Sequence, residues 1–258
     1  MALPAWRGQL VTLPPIASSV RHTLSRPSSC VPPGFIALTY YSPAHATLRE
    51  LQLERVQSKR CFMTRLVTVC FGVAPNSSAL DSSCVSAPAI RGAPSGHAST
   101  FRKPAYHELI WAKWRLMHDA LSEGGARGVL FVDSDVLLFR NPFRALGAAG
   151  VPRFDLMFQG ELACDGSESA CARGQPPSSC HLNGGVLLAQ SAALVARVIL
   201  RGEADALAAA SASSARAGGA SAAMLDQDVA ESVLRSSDDF RACHLPSQAF
   251  VGFCMWAW

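Results

Sequence analysis

Charge is scarce in this chain. Charged residues fill 16% of its 258 positions, while 49% are hydrophobic. Intrinsic disorder needs the opposite balance, so the chain reads as a folded one. Acidic residues are absent before Glu50, where Arg7, Arg21, Arg26 and Arg49 are the only formal charges. From Glu50 onward 19 basic residues meet 19 acidic ones, so the net charge of +4 belongs to the first 49 residues, most of it to the N-terminal arm. The body of the chain therefore has no basic surplus with which to hold a nucleic acid.

Two further absences narrow the class. No apolar run approaches the ~20 residues that a membrane-spanning helix needs. Among nine cysteines no pair stands in a CxxC arrangement, which excludes a zinc ribbon or a thioredoxin-type site. The odd count leaves at least one thiol unpaired or paired between chains. Cys164, Cys171 and Cys180 crowd one polar loop, where an oxidising compartment would favour a disulfide.

The acid-free arm, residues 1–33, has the composition of a transit peptide. Pro4, Pro14 and Pro15 interrupt any long amphipathic helix there, so it reads as a disordered arm ahead of one domain spanning 34–258. In that domain 35–41 reads as a strand, 42–58 as a helix and 65–73 as a buried strand, a β-α-β unit with a parallel pair. Residues 74–100, rich in Ser, Ala, Pro and Gly, read as a loop. It carries the sequon Asn76-Ser77-Ser78, which matters only in a secreted chain.

The clearest helix is 103–125, with Tyr106, Ile110, Trp114, Met117 and Leu121 at three- and four-residue spacing and Gly124-Gly125 as its stop. Lys113 stands at the edge of that apolar face, either snorkelling to solvent or reaching an anionic partner. Strands at 128–143, 154–160 and 181–190 and helices at 191–210 and 224–236 follow, with a low-complexity stretch to Ala223. The alternation predicts an α/β fold with a mostly parallel, Rossmann-like sheet and helices on both faces.

The chemistry concentrates at Asp133-Ser134-Asp135, which follows the apolar run "VLFV". Side chains two apart on an extended chain point the same way, so both carboxylates can face one point. Two charges after a buried strand need compensation, and a hard divalent ion such as Mg²⁺ or Mn²⁺ would supply it. Open α/β sheets bind ligands at the carboxyl ends of their strands, where this pair falls.

Four pieces in order carry a resemblance: the Lys-bearing helix "AYHELIWAKWRLMHDAL", the strand "VLFVDSDVLLFRNPF", the entry "LNGGVLLA" and the helix start "DQDVAESVL". Together they resemble the nucleotide-diphospho-sugar transferases, glycosyltransferases of the GT-A fold that include plant and algal cell-wall xylosyl- and arabinosyltransferases. The resemblance implies that Asp133 and Asp135 hold a Mn²⁺ or Mg²⁺ ion and the diphosphate of a nucleotide sugar, a UDP-sugar first of all. It implies that Thr39 and Tyr40 lie beside the nucleobase and that Lys113 faces the diphosphate. Asn183, Gly184 and Gly185 would line the sugar pocket, and Asp226, Gln227 and Asp228 would contact the transferred sugar or the acceptor. Asp228 would be the general base if the enzyme inverts. His244 would be a third metal ligand, or else that ligand and part of the acceptor site belong to a missing C-terminal tail. A glycan or glycoprotein is the implied acceptor, and the Golgi or secretory lumen the implied compartment.

Two other readings fit parts of the pattern. A haloacid-dehalogenase-like phosphatase also places an aspartate pair after an apolar strand, with Asp238-Asp239 imitating its late acidic motif, but it carries the pair on its first strand. A non-catalytic nucleotide-sugar-binding domain would share the site without turnover.

Overall fold

Among the described residues seven strands assemble into one sheet in the order β3-β2-β1-β4-β6-β5-β7. These are β1 (Phe35–Tyr41), β2 (Leu66–Phe71), β3 (Cys84–Ala87), β4 (Gly128–Val132), β5 (Leu156–Gly160), β6 (Leu182–Ala189) and β7 (Ala242–His244). The computed structural model describes residues 13–41, 64–73, 84–89, 104–134, 136, 141–145, 154–160, 181–214 and 225–245. The helices are α1 (Ala17–Ser25), α2 (Pro104–Ser122), α3 (Pro142–Ala145), α4 (Ala192–Ser214) and α5 (Asp226–Arg235).

The expected α/β architecture is present. β1 pairs in parallel with both β2 and β4, β2 with β3, and β5 with β7. β6 runs antiparallel to both of its neighbours, so its first residues meet the carboxyl ends of β4 and β5. That reversal brings the "LNGG" entry to the edge where Asp133 stands.

Every residue of β1, β2 and β4 is buried, as strands covered on both faces require. Ile36, Leu38, Val67, Val69, Val129 and Phe131 join one core with apolar residues of α1, α2, α4 and α5. Phe35, Ala37, Leu66, Leu130 and Val132 join the other, together with Val31 and Phe143 of α3. The helix-period residues of α2 account for its place: Ile110, Trp114 and Met117 are buried. α2 and α4 pack closely, because a Cβ at Gly202 would stand 2.1 Å from the Trp111 ring. An ion pair between Arg115 and Glu203 at 3.0 Å ties the same two helices. Burial lowers the Arg115 pKa, against the opposing pull of Glu203.

Three local expectations change. Residues 13–33, read as disordered, include α1, whose Ile16 and Val20 enter the core. Arg21 donates to the Glu123 carbonyl at 2.7 Å and the buried Arg65 to that of Leu24 at 2.9 Å, which ties α1 to the body of the domain. Inside the expected loop 74–100, Cys84–Ala87 forms the edge strand β3. Its Cys84 is in a disulfide with Cys70 of β2, a tie that no hydrophobic pattern reveals. The strand expected over 128–143 ends at Val132. The helix expected at 42–58, the loop with Cys164, Cys171 and Cys180, and the sequon at Asn76 lie outside the described residues.

The helix stop is as expected. Gly125 takes a positive φ of 75°, and the amides of Gly124 and Ala126 close back on the carbonyls of Asp119 and Ala120 at 2.9 and 3.0 Å. A left-handed residue there satisfies carbonyls that the helix end would leave bare. No helix among the described residues is long and apolar enough to cross a membrane.

Candidate active site

The carboxyl ends of β1 and β4 and the entry of β6 converge on Asp133. It follows the last residue of β4, and its amide donates to the Gly185 carbonyl at 2.8 Å, which continues the β4–β6 ladder one step beyond the strand. Tyr40, near the end of β1, donates its hydroxyl to Asp133 Oδ1 at 3.2 Å. The Val136 amide closes a turn onto the Asp133 carbonyl at 3.1 Å. Asp135 lies outside the described residues.

The glycine pair has a structural reason. The β5–β6 register shifts between Phe158, opposite Leu187, and Gln159, opposite Asn183. β6 residues 184–186 are thereby passed over by β5, and backbone carbonyls freed in this way need other donors. Lys113 of α2 supplies one, donating from Nζ to the Gly184 carbonyl at 3.1 Å. The ammonium sits so close that a Cβ at Gly184 would lie 2.6 Å from it. The Gly185 amide donates to Asn183 Oδ1 at 2.8 Å, a side-chain turn that fixes the strand entry.

Of the two readings of Lys113, it is not the snorkelling one that holds: the side chain reaches an anionic partner inside the protein. It is 2% exposed, and its Nζ stands 2.9 Å from Asp226 Oδ2. The same oxygen accepts the indole N–H of Trp114 at 2.7 Å. Asp226, the first residue of α5, is itself buried. A buried carboxylate needs a partner charge and hydrogen bonds, and these two neighbours on α2 provide both. Asp226 thus anchors the start of α5 to α2 and β6. Gln227 is half-buried and Asp228 exposed, so the string divides into one internal anchor and two residues turned towards the surface.

Asp228 lines an open cleft of about 530 Å³ with His181, Glu231, Ser232, Arg235 and Ser236. Glu231 accepts from the Leu182 amide, so this face of α5 is also tied to the β6 entry. Thr39 is buried, and its hydroxyl contacts the Tyr40 carbonyl at 3.4 Å.

His244 ends β7, buried with its ring 4.6 Å from that of Phe158. It occupies the same carboxyl edge, but β6 and β5 separate β7 from β4. Three strand spacings amount to ~14 Å between backbones, beyond what one ion shared with Asp133 would span. The structure brings Tyr40, Lys113, Asp133, Asn183, Gly184, Gly185 and Asp226 together and leaves His244 apart.

Among the described residues no three His, Cys, Asp or Glu side chains cluster as a metal site. The donors around Gly185 are nonetheless of the right kind. A Cβ there would lie 3.0 Å from Asn183 Oδ1 and 3.8 Å from Asp133 Oδ2. Hard oxygen donors around a residue without a side chain fit a Mg²⁺ or Mn²⁺ ion. Trp114 is the functional neighbour that the sequence reading missed. It counted as one more apolar residue of the helix face, and only its place next to Lys113 hinted at a polar duty for the indole.

Residues 80–258 match the model of a family described as nucleotide-diphospho-sugar transferase. Among solved structures the chain is similar to the galactosyltransferase LgtC in complex with donor and acceptor sugar analogues. That match has 13% identity and a TM-score of 0.44, covering 81% of this chain and 72% of that one. An active-site mutant of LgtC matches at 13% identity and a TM-score of 0.41, over 81% of this chain and 71% of that one. The mannosyltransferase PcManGT from Pyrobaculum calidifontis, in complex with GDP-Man and Mn²⁺, matches at 13% identity and a TM-score of 0.41. The shares covered are 90% of this chain and 62% of that one. No curated protein matches the sequence.

Proposed function

The chain belongs to the nucleotide-diphospho-sugar transferase family, and on that premise we propose that it moves a sugar from a UDP-sugar to a hydroxyl of a glycan or glycoprotein, with a divalent ion held by Asp133 and Asp135. The observation that supports this reading is the convergence on one sheet edge of the Asp133 carboxylate, the Asn183-Gly184-Gly185 entry and the Lys113–Asp226 pair.

When bound, Mn²⁺ or Mg²⁺ would act as a Lewis acid towards the diphosphate, whose charge grows as the sugar leaves. The protein's own residues would do the positioning. Asp133, and Asp135 two residues on, would offer carboxylate oxygens. Gly184 and Gly185, bare of side chains, would let the donor approach the backbone. Lys113 would contribute a fixed positive charge behind that backbone. With its ammonium already bonded to Asp226 and Gly184, its influence on the diphosphate would be electrostatic and preorganised, without a direct contact. Asp228, exposed and lining the cleft with His181 and Glu231, would meet the acceptor hydroxyl, and Gln227 the transferred sugar.

The phosphatase alternative has lost its footing. The family match points elsewhere, and the aspartate follows the fourth of the described strands, not the first. For the compartment we propose the secretory lumen, Golgi included. The Cys70–Cys84 disulfide supports it, as do Cys30 and Cys243, each also disulfide-bonded.

The test is release of UDP from UDP-sugars with and without Mn²⁺, using Asp135→Ala as the control. UDP binding without turnover would turn the protein into a binding module. Absence of both UDP affinity and hydrolysis would end the transferase reading.

A further inference from the structure

We propose that Tyr40 is a positioning residue for the Asp133 carboxylate, holding it in the orientation that a divalent ion requires; the inference rests on the metal-assisted reading above. The hydrogen bond from Tyr40 Oη to Asp133 Oδ1, at 3.2 Å, crosses two neighbouring parallel strands. The β1–β4 register pairs Leu38 with Phe131. Two residues further along each strand stand Tyr40 and Asp133, so the period of two places them side by side on the same face.

The phenol is held rigidly. Its ring meets Phe71 edge-on at 6.2 Å and Phe131 at 5.3 Å, and only 7% of the residue is exposed. Little of the ring face is open for stacking, and the duty proposed here lies with the hydroxyl, whatever lies beside the ring. A buried tyrosine instead spends its hydroxyl on a fixed acceptor, and here the acceptor is the carboxylate proposed to hold the metal. Phe131 also carries Lys113 Nζ at 6.0 Å from its ring centre. One aromatic therefore backs both the Tyr40–Asp133 contact and the Lys113–Asp226 pair.

An aspartate at the end of a strand has two side-chain torsions to settle before it can ligate. A hydrogen bond from a ring packed against Phe71 and Phe131 restricts them in advance. Partners that orient a metal ligand from behind commonly matter by 10–100-fold in metal affinity or activity.

Tyr40→Phe keeps the ring and removes only the donor. With UDP present, we expect the variant to bind Mn²⁺ about tenfold more weakly, read from the electron paramagnetic resonance of free Mn²⁺. Near-UV circular dichroism and metal-free UDP affinity should match the wild type. UDP-sugar hydrolysis should recover near-normal kcat once Mn²⁺ saturates. In an Asp133→Asn background, adding Tyr40→Phe should cost no further Mn²⁺ affinity, because the phenol acts on the metal through that carboxylate. Unchanged Mn²⁺ affinity in Tyr40→Phe overturns the positioning role alone, as does a loss confined to metal-free UDP binding. A wild-type protein that binds no Mn²⁺ with UDP overturns the metal-assisted reading and this proposal with it.

Discussion

Lys113 Nζ and Asp226 Oδ2 stand 2.9 Å apart, both side chains buried, and join the middle of α2 to the first residue of α5. The pair fixes the start of the Asp-Gln-Asp string relative to the glycine entry of β6. Removing one partner strands the other charge in the core, which costs about 3–5 kcal/mol. Lys113→Met and Asp226→Asn should each lower unfolding free energy in urea by that order. The double variant should recover part of the loss. Single variants as stable as the wild type would contradict a buried pair.

Gly184 is set by the same ammonium. Alanine there would place a methyl 2.6 Å from Lys113 Nζ. The lysine tip can swing away, but only by giving up its bonds to the Gly184 carbonyl and Asp226. Gly184→Ala should therefore destabilise by about 1–3 kcal/mol. Paired with Lys113→Met, which removes the obstructing charge, its cost should shrink. Additive losses in thermal unfolding would show that the crowding lies elsewhere.

Asp228 contrasts with its neighbour two residues earlier. It is exposed at the cleft mouth, and surface changes of this kind usually stay within about ±0.5 kcal/mol. Asp228→Asn should fold normally and bind UDP normally. If the carboxylate serves the acceptor hydroxyl as a base, transfer should fall ~10²-fold or more. Full transfer activity in that variant would remove Asp228 from the reaction.

The Cys70–Cys84 disulfide closes a sequence separation of 14 and secures the four-residue edge strand β3. A loop of that length is stabilised by about 3 kcal/mol. Cys84→Ser should lower stability by 2–3 kcal/mol, roughly that amount, and speed amide exchange in β3 before β2. Peptide mapping without reductant checks the bond directly. A free Cys84 thiol in protein from an oxidising compartment would contradict it.

Much of this fold was legible because apolar runs such as Phe35–Tyr41 and Leu66–Phe71 are buried on both faces, which leaves strand or buried helix as the choices. Asp133 was legible because a charge after such a run is costly without a purpose, and three strand ends do converge on it. α1 was hidden, since it is short, Ser-rich and held by long-range contacts from Arg21 and Arg65. β3 was hidden because a disulfide secures it within a loop-like composition. The glycine pair was read as a donor approach, whereas Gly184 also makes room for Lys113. Asp226 looked like a residue for the ligand, and only the fold shows its carboxylate turned inward to Trp114 and Lys113. Spacing along a chain cannot tell which member of a polar string faces the core.

The most direct test of the central claim is Mn²⁺-dependent release of UDP from UDP-sugars by the purified chain, measured beside Asp133→Ala. The account predicts release that depends on the metal in the wild type and falls at least ~10²-fold in the variant, as loss of a catalytic electrostatic group does. Equal release by both proteins, or none by the wild type at saturating donor and Mn²⁺, would contradict it.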